Sequence, residues 1–396
     1  DLLFPPFQAK SLKSPAAKVK QTGLKLFNRN KQQQTLFDQI YQNDILLHHP
    51  YDAFTPVIEF LQQAAVDPNV LAIRMTLYRT GEKSAIIDAL EKAATQGKEV
   101  TAVVELRARF DEDNNIQQAN RLQDAGVNVV YGVVGYKTHA KMILVIRREG
   151  EHLRQYVHLG TGNYHHITTR FYTDFGLFSA NPALGHDVSK IFQQLTSLGD
   201  TNNLLVLLQS PFTLHSGMIE RIHREADNAR QGKPARIIAK MNGLQEKGII
   251  DALYEASQAG VKIDLIIRGI CSLRPGVAGL SDNITVVSII GRFLEHHRIY
   301  YFENSAGEPE LFCSSADWMR RNLFSRVETC FPILNKKHFQ QVYTEGLEIY
   351  LQDNTGAWVL QADGSYLPKQ PQADEAAFSA QNWLIEKYSS WFQRWP

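Results

Sequence analysis

The sequence predicts an α/β protein made of two similar lobes, each a mixed β-sheet flanked by helices, related by a pseudo-two-fold. Three observations carry this prediction. Strand-like apolar runs alternate with helical periods along most of the chain. The same series of signals is written twice, its central helix and closing glycine recurring 163 residues on. The length, 396 residues, suffices for two domains of ordinary size, each with its own core.

The repeat is carried by particular residues. Ile86-Ile87-Asp88-Ala89-Leu90 returns as Ile249-Ile250-Asp251-Ala252-Leu253. Gly97 returns as Gly260, at the point where a glycine closes a helix. A strand is expected before each helix, at 71–77 and 235–241, and another after it, at 100–106 and 261–267. Residues 127–131 and 284–289 extend the match. Upstream, Pro50-Tyr51 and Pro211-Phe212 each lead into an amphipathic helix, at about 55–66 and 216–231. The lobes are expected at 48–206 and 207–396. Residues 1–47 stand outside the repeat: a lysine-rich linker with Pro5-Pro6, then a helix at about 33–45, remnants of an upstream region. The tail at about 374–394 carries Phe378, Trp383, Tyr388 and Trp391 at helical spacing and reads as a docked terminal helix. Paired lobes would bring corresponding residues to a shared cleft.

Composition narrows the function. Hydrophobic residues are 44% and charged residues 21%, ordinary for a soluble globular protein. A formal net charge of +1 gives no global field for nucleic acid, so an anion site must be a local cluster of Arg and Lys. Cys271, Cys313 and Cys330 form no CxxC and no even framework, as for reduced buried thiols in the cytoplasm. No apolar run reaches the roughly 18 residues of a membrane span, and no signal peptide is evident. The chain starts at Asp1 rather than Met and reads as a fragment of a longer protein.

The chemistry-bearing residues recur in order. The first copy has Lys137-Thr138-His139-Ala140-Lys141, then Gly160-Thr161-Gly162-Asn163. The second has Glu295-His296-His297-Arg298, then Ser314-Ser315-Ala316-Asp317. Each copy closes with an acid 11 residues past its turn, Asp174 and Glu328. A neutral imidazole attacks phosphorus, and a protonated one is a good acid. A cation two residues along the same strand, Lys141 or Arg298, shares the histidine's face and can clamp phosphoryl oxygens. The small turns offer hydroxyls and N–H groups to the remaining oxygens, through Asn163, Ser314, Ser315 and Asp317. Asp174 and Glu328 can fix a histidine tautomer and support its positive charge. Two histidines let one attack while the other protonates the leaving oxygen. His297, His165, His166, His48 and His49 are read as structural. No HExxH or CxxC spacing marks a zinc site. Gly81-Glu82-Lys83-Ser84 is a helix start and not a GxxxxGK[ST] loop.

His-x-Lys followed by Gly-Thr-Gly-Asn resembles the phospholipase D superfamily, so the expected fold is two phospholipase D-like lobes. The longer strings resemble its histidine-autophosphorylating polyphosphate kinases: Tyr78-Arg79, ELRARFD at 105–111, 137–141, HLGTGN at 158–163, Tyr172-Thr173-Asp174, Arg268-Gly269, Ser281-Asp282-Asn283, FLEHHR at 293–298 and SSADWM at 314–319. The match runs from about residue 45 to 335. The resemblance implies an ATP:polyphosphate phosphotransferase working through a phosphohistidine. It implies His139 as the phosphorylated residue and His296 as a second active-site histidine close to the nucleotide. Tyr172 and Arg268 match ATP contacts, and Arg79 and Arg109 match positions of a magnesium site. A guanidinium has no lone pair for a metal, so these arginines would act through phosphate oxygens or water.

The implied cofactor is Mg2+ and the implied partners are ATP or ADP and inorganic polyphosphate, with no nucleic acid and no transmembrane segment. A homo-oligomer is expected, in the cytoplasm with peripheral attachment to the inner membrane face. Arg107, Arg109, Lys137, Arg292, Arg320 and Arg321 are candidates to line a polyanion channel. Phosphodiesterases of the superfamily carry an acid seven residues after the histidine, where this chain has Ile146 and Glu303. A phospholipase D-type phosphodiesterase acting on lipid or nucleic acid is the competing reading, and a non-catalytic scaffold is a third.

Overall fold

The structure, a computed structural model, describes residues 35–78, 84–105, 112–133, 135–197 and 203–393. The chain divides into two compact units. The first lobe ends at Pro211 and also takes in the segment Ser325–Phe331; the second lobe comprises Phe212–Phe324 and the residues from Pro332 onward.

In the first lobe, the helix Leu36–Gln42 starts at Thr35, whose side chain and backbone exchange hydrogen bonds with Asp38 in a capping box. The strand Ile45–His49 follows, just past the stretch expected as a helix; all five of its residues are buried. The sheet order is Ile45–His49, Tyr172–Ser179, His152–Gly160, Lys141–Glu149, Val70–Leu77, Glu99–Val104 and Asn128–Val130. The last three run parallel to one another, joined by helical crossovers; the others are antiparallel. Helix Ala85–Thr95 packs Ile86, Ile87, Leu90 and Ala93 into the core, at roughly 1.5–3 kcal/mol for each large side chain.

The second lobe repeats this order: Ile284–Ile289, Lys262–Ile267, Arg236–Met241, Arg298–Phe302 and Glu310–Ser314, again with the first three parallel. A hairpin of Ala357–Leu360 and Tyr366–Pro368 covers the edge of Ile284–Ile289. The helix Lys247–Gln258 is the counterpart of Ala85–Thr95. Gly97 and Gly260 end these helices at φ +79° and +98°, a conformation that a Cβ disfavours. The peptides before Pro50 and Pro211 are both cis. The tail forms the helix Ala380–Gln393. Cys313 and Cys330 are buried thiols, whereas Cys271 is only partly buried.

Candidate active site

Both histidines sit where a strand is interrupted. His139 lies between Lys137–Thr138 and Lys141–Glu149; His296 lies between Leu294–Glu295 and Arg298–Phe302. In the first lobe the N–H groups of His139 and Ala140 both donate to the carbonyl of Val327, at 2.9 Å. This pinch breaks the alternation that a single strand through His139 and Lys141 would have had. Lys141 opens the strand after this break. Its side chain is buried and its Nζ donates to the carbonyl of His139 at 2.5 Å. The Tyr78 ring lies 5.4 Å from that ammonium and meets the His139 ring edge-on at 4.9 Å.

Nδ1 of His139 lies 2.8 Å from Oε2 of Glu328, a carboxylate at 0% exposure. A buried carboxylate there holds the proton on Nδ1 and supports positive charge on the ring. The ordered recurrence had placed Glu328 with the second copy. The strand Arg326–Pro332 instead runs parallel to Lys137–Thr138, with Val327 opposite Thr138, and antiparallel to Leu208–Ser210. It thereby carries an acid of the second copy into the first lobe. Asp174, expected at His139, accepts from Thr161 Oγ1 at 2.6 Å and braces the Gly-Thr-Gly-Asn turn. A Cβ on Gly162 would overlap its carboxylate, so this turn needs glycine.

In the second lobe Arg298 stays beside its histidine. Its Nη1 is 3.2 Å from Nε2 and 3.4 Å from Nδ1 of His296. Its Nε and Nη2 donate to the two oxygens of Asp317 at 3.1 and 3.2 Å, a two-pronged bond that fixes the guanidinium plane. Asn242 donates to Asp317 through both its backbone and its side chain, and through Nδ2 to the carbonyl of His296 at 3.0 Å. Burial pushes the Asp317 carboxyl up, but the Arg298 charge and these hydrogen bonds outweigh it and hold the group well below the ordinary carboxylate range.

Two expectations about phosphate contacts change. Asp317 is an ionised acceptor filled by Arg298 and Asn242, so it orients the cation and repels phosphate. Ser314 and Ser315 are fully buried, and the Ser314 hydroxyl accepts the Ala316 N–H at 3.1 Å, shaping the turn from within. Asn163, at the position matching Asp317, is half-buried, and its Oδ1 has no hydrogen-bond partner among the described residues. Tyr172 is half-buried at the start of its strand, as is Lys137 in its own; Arg292, Arg320 and Arg321 are exposed. Arg79, Arg107 and Arg109, and Gly81 to Lys83, lie outside the described residues. Of the histidines read as structural, His48, His49 and His297 are buried. His165 and His166 stack at 5.6 Å in the loop after Asn163.

Sequence reasoning missed one device that both lobes share. Glu105, at the tip of its strand, accepts the Thr138 N–H at 2.9 Å, just before His139. Arg268, 163 residues later, donates to the carbonyl of Glu295 at 3.1 Å, just before His296. The shared spacing was the available signal; the opposite charges concealed it.

Family comparisons fit this geometry. A family model described as polyphosphate kinase C-terminal domain 1 matches residues 35–201, and one described as polyphosphate kinase C-terminal domain 2 matches residues 207–381. The chain belongs to the polyphosphate kinase family. A polyphosphate kinase of Xylella fastidiosa strain Temecula1 is 60% identical over 351 residues, covering 89% of this chain and 50% of the relative. One from Pseudomonas aeruginosa PAO1 is 57% identical over 360 residues, covering 91% and 52%. The chain spans about half the length of the curated relatives it matches. The crystal structure of polyphosphate kinase from Porphyromonas gingivalis superposes with a TM-score of 0.85 at 38% identity, covering 92% of this chain and 56% of that one. A phosphatidylserine synthase from Haemophilus influenzae shares the fold, at a TM-score of 0.55 and 10% identity over 89% of this chain and 94% of that one. Each lobe is accordingly a mixed α/β unit.

Among the described residues no group of three or more His, Cys, Asp or Glu is arranged to hold a metal ion. Glu328 and Asp317 are committed to His139 and Arg298. The described side chains thus do not form a magnesium site. No helix among the described residues is long and apolar enough to cross a membrane.

Proposed function

We propose that this chain transfers the terminal phosphoryl group of ATP reversibly to inorganic polyphosphate, with His139 carrying it between the two. The observation that carries the proposal is the buried Glu328 carboxylate 2.8 Å from Nδ1 of His139. With Nδ1 protonated, Nε2 is the attacking nitrogen. Its lone pair forms the N–P bond as the bond from phosphorus to the ADP oxygen breaks. Glu328 stabilises the positive ring that results. In the second half the terminal oxygen of polyphosphate attacks phosphorus and the N–P electrons return to the imidazole. His296 sits against the Arg298 guanidinium, which donates and never accepts. That pair serves the phosphoryl oxygens and the proton of the leaving group. Phosphoryl transfer asks mostly for positioning and charge neutralisation, which fits this construction.

Arg268 and Tyr172 are assigned to the nucleotide, and Arg79 and Arg109 to phosphates that bring Mg2+ with them. Lys137, Arg292, Arg320 and Arg321 are assigned to the polyanion path. The expected cytoplasmic location and homo-oligomeric state belong to the same proposal. Incubation of the chain with γ-labelled ATP and magnesium tests it. The expected result is protein-bound label that is acid-labile and alkali-stable, absent in His139→Ala and discharged by polyphosphate. A label retained in His139→Ala, or release only as inorganic phosphate, contradicts it.

A further inference from the structure

The second lobe contains a buried ion pair that the reaction above does not use. Lys240 Nζ lies 2.7 Å from Glu295 Oε2, and both side chains are buried. The other carboxylate oxygen accepts from Gln381 Nε2 at 2.5 Å. Gln381 also holds the main chain of Phe293 from both sides, accepting its N–H and donating to its carbonyl, each at 2.9 Å. Two side chains, Lys240 and Gln381, therefore converge on residues 293–295, immediately before His296.

Gln381 comes from the C-terminal helix. That helix is itself tied down. Asp353 accepts the Ala380 N–H at 2.8 Å, and Glu345 accepts from Lys387 Nζ and Tyr388 OH, both at 2.8 Å. Glu345 lies in a π-turn, Thr344–Glu348, a rare insertion that often marks a functional place. The chain after that turn sets the Tyr350 ring 3.0 Å from Lys240 Nζ.

The first lobe shows that the fold does not demand this pair. Strand register makes Thr76 the counterpart of Lys240, each opposite the second residue after its histidine's strand break begins to pair again: Thr76 holds the Met142 N–H at 3.0 Å and the Ala140 carbonyl at 2.7 Å. Thr138 precedes His139 as Glu295 precedes His296. Two threonines stand there instead. Buried ion pairs are seldom worth more than an apolar replacement of similar volume, so fold stability does not account for this one. Burial pushes the Lys240 ammonium down to about 8 against the opposing pull of Glu295, which shows that the pair is held at a cost.

We infer that Lys240, Glu295 and Gln381 form a positioning device that sets the main chain at His296 from the C-terminal helix. What His296 does in turnover rests on the proposed function; that its position is set this way does not. Two variants of the full chain test the device: Gln381→Ala, and Lys240→Met with Glu295→Gln, which removes both charges while keeping volume and a partner for Gln381. The first readout is the ring 15N signals of the histidines. The signals of His296 move in both variants while those of His139 stay in place. The second is transfer itself, slowed about tenfold with the KM for ATP within about twofold, as a displaced reacting group predicts. His296 signals that stay in place in both variants overturn the inference whatever the rate, as do His139 signals that move equally. If Gln381→Ala does not fold, the double variant decides. An unmodified chain without transfer activity would sink the proposed reaction and leave the 15N readout to judge this device.

Discussion

The two histidines come from matching places in a repeated sequence, yet different groups meet their rings. His139 has a buried carboxylate at Nδ1; His296 has a guanidinium against its ring. The peptide before His139 is held by Glu105 and the peptide before His296 by Arg268. Duplication therefore kept the framework while the two copies diverged in charge. The difference teaches how the His139 ring is equipped to become positive. A phosphorylated ring needs a nearby anion, and a ring beside a fixed cation is better suited to handle oxygens and protons.

The largest test of that contrast is Glu328→Gln. The amide keeps the shape but can present an N–H to Nδ1 and favour the wrong tautomer. We expect label incorporation to fall by about 100-fold or more, roughly 3 kcal/mol, with the folded spectrum retained. Equal labelling would remove the contrast. Next in size is an acid effect confined to the first lobe. Burial, helped by the nearby His49, pushes His158 down to about 3, so the ring stays neutral when folded. The unfolded ring takes up a proton below about 6.5, so this stability is present above that pH and lost as pH falls toward 3. By pH 5 the loss is about 2 kcal/mol. Hydrogen exchange should show His152–Gly160 losing protection between pH 7 and 5 more than Arg298–Phe302 does.

Arg298→Lys comes third. A lysine keeps the charge but not the two-pronged bond to Asp317, and transfer should slow about tenfold, roughly 1.4 kcal/mol, in a steady-state assay. The smallest effect concerns Asp317→Asn. Asp317 titrates lower when folded, so its contribution is present above about 3.9, the unfolded value, and fades as pH falls below it. The stability gap between wild type and Asp317→Asn in urea unfolding should narrow by about 1 kcal/mol from pH 7 to pH 3. A constant gap would mean that the Arg298 fork does not stabilise the carboxylate.

Much of the framework was legible because its signals are local. The helix Thr55–Val66 and the strand Ile284–Ile289 fall where periodicity placed them, and the glycines after the paired helices take the positive φ that their position asked for. The strand Ile45–His49 was not legible, since a strand buried on both faces shows no alternation. The partner of Glu328 was invisible for a different reason. Recurrence in order assigns an acid to its own copy, and only strand pairing reveals that Arg326–Pro332 lies beside Lys137–Thr138. Lys240, Glu295 and Gln381 form no motif either, because they are brought together from three distant stretches of chain.

The central claim is that Glu328 makes His139 the phosphoryl carrier, through Nε2. Brief exposure of the chain to ATP, alkaline digestion and mapping of the phosphorylated fragment test it most directly. The account predicts phosphate on Nε2 of His139 and none on His296. Phosphate on His296, or on Nδ1 of His139, would contradict it.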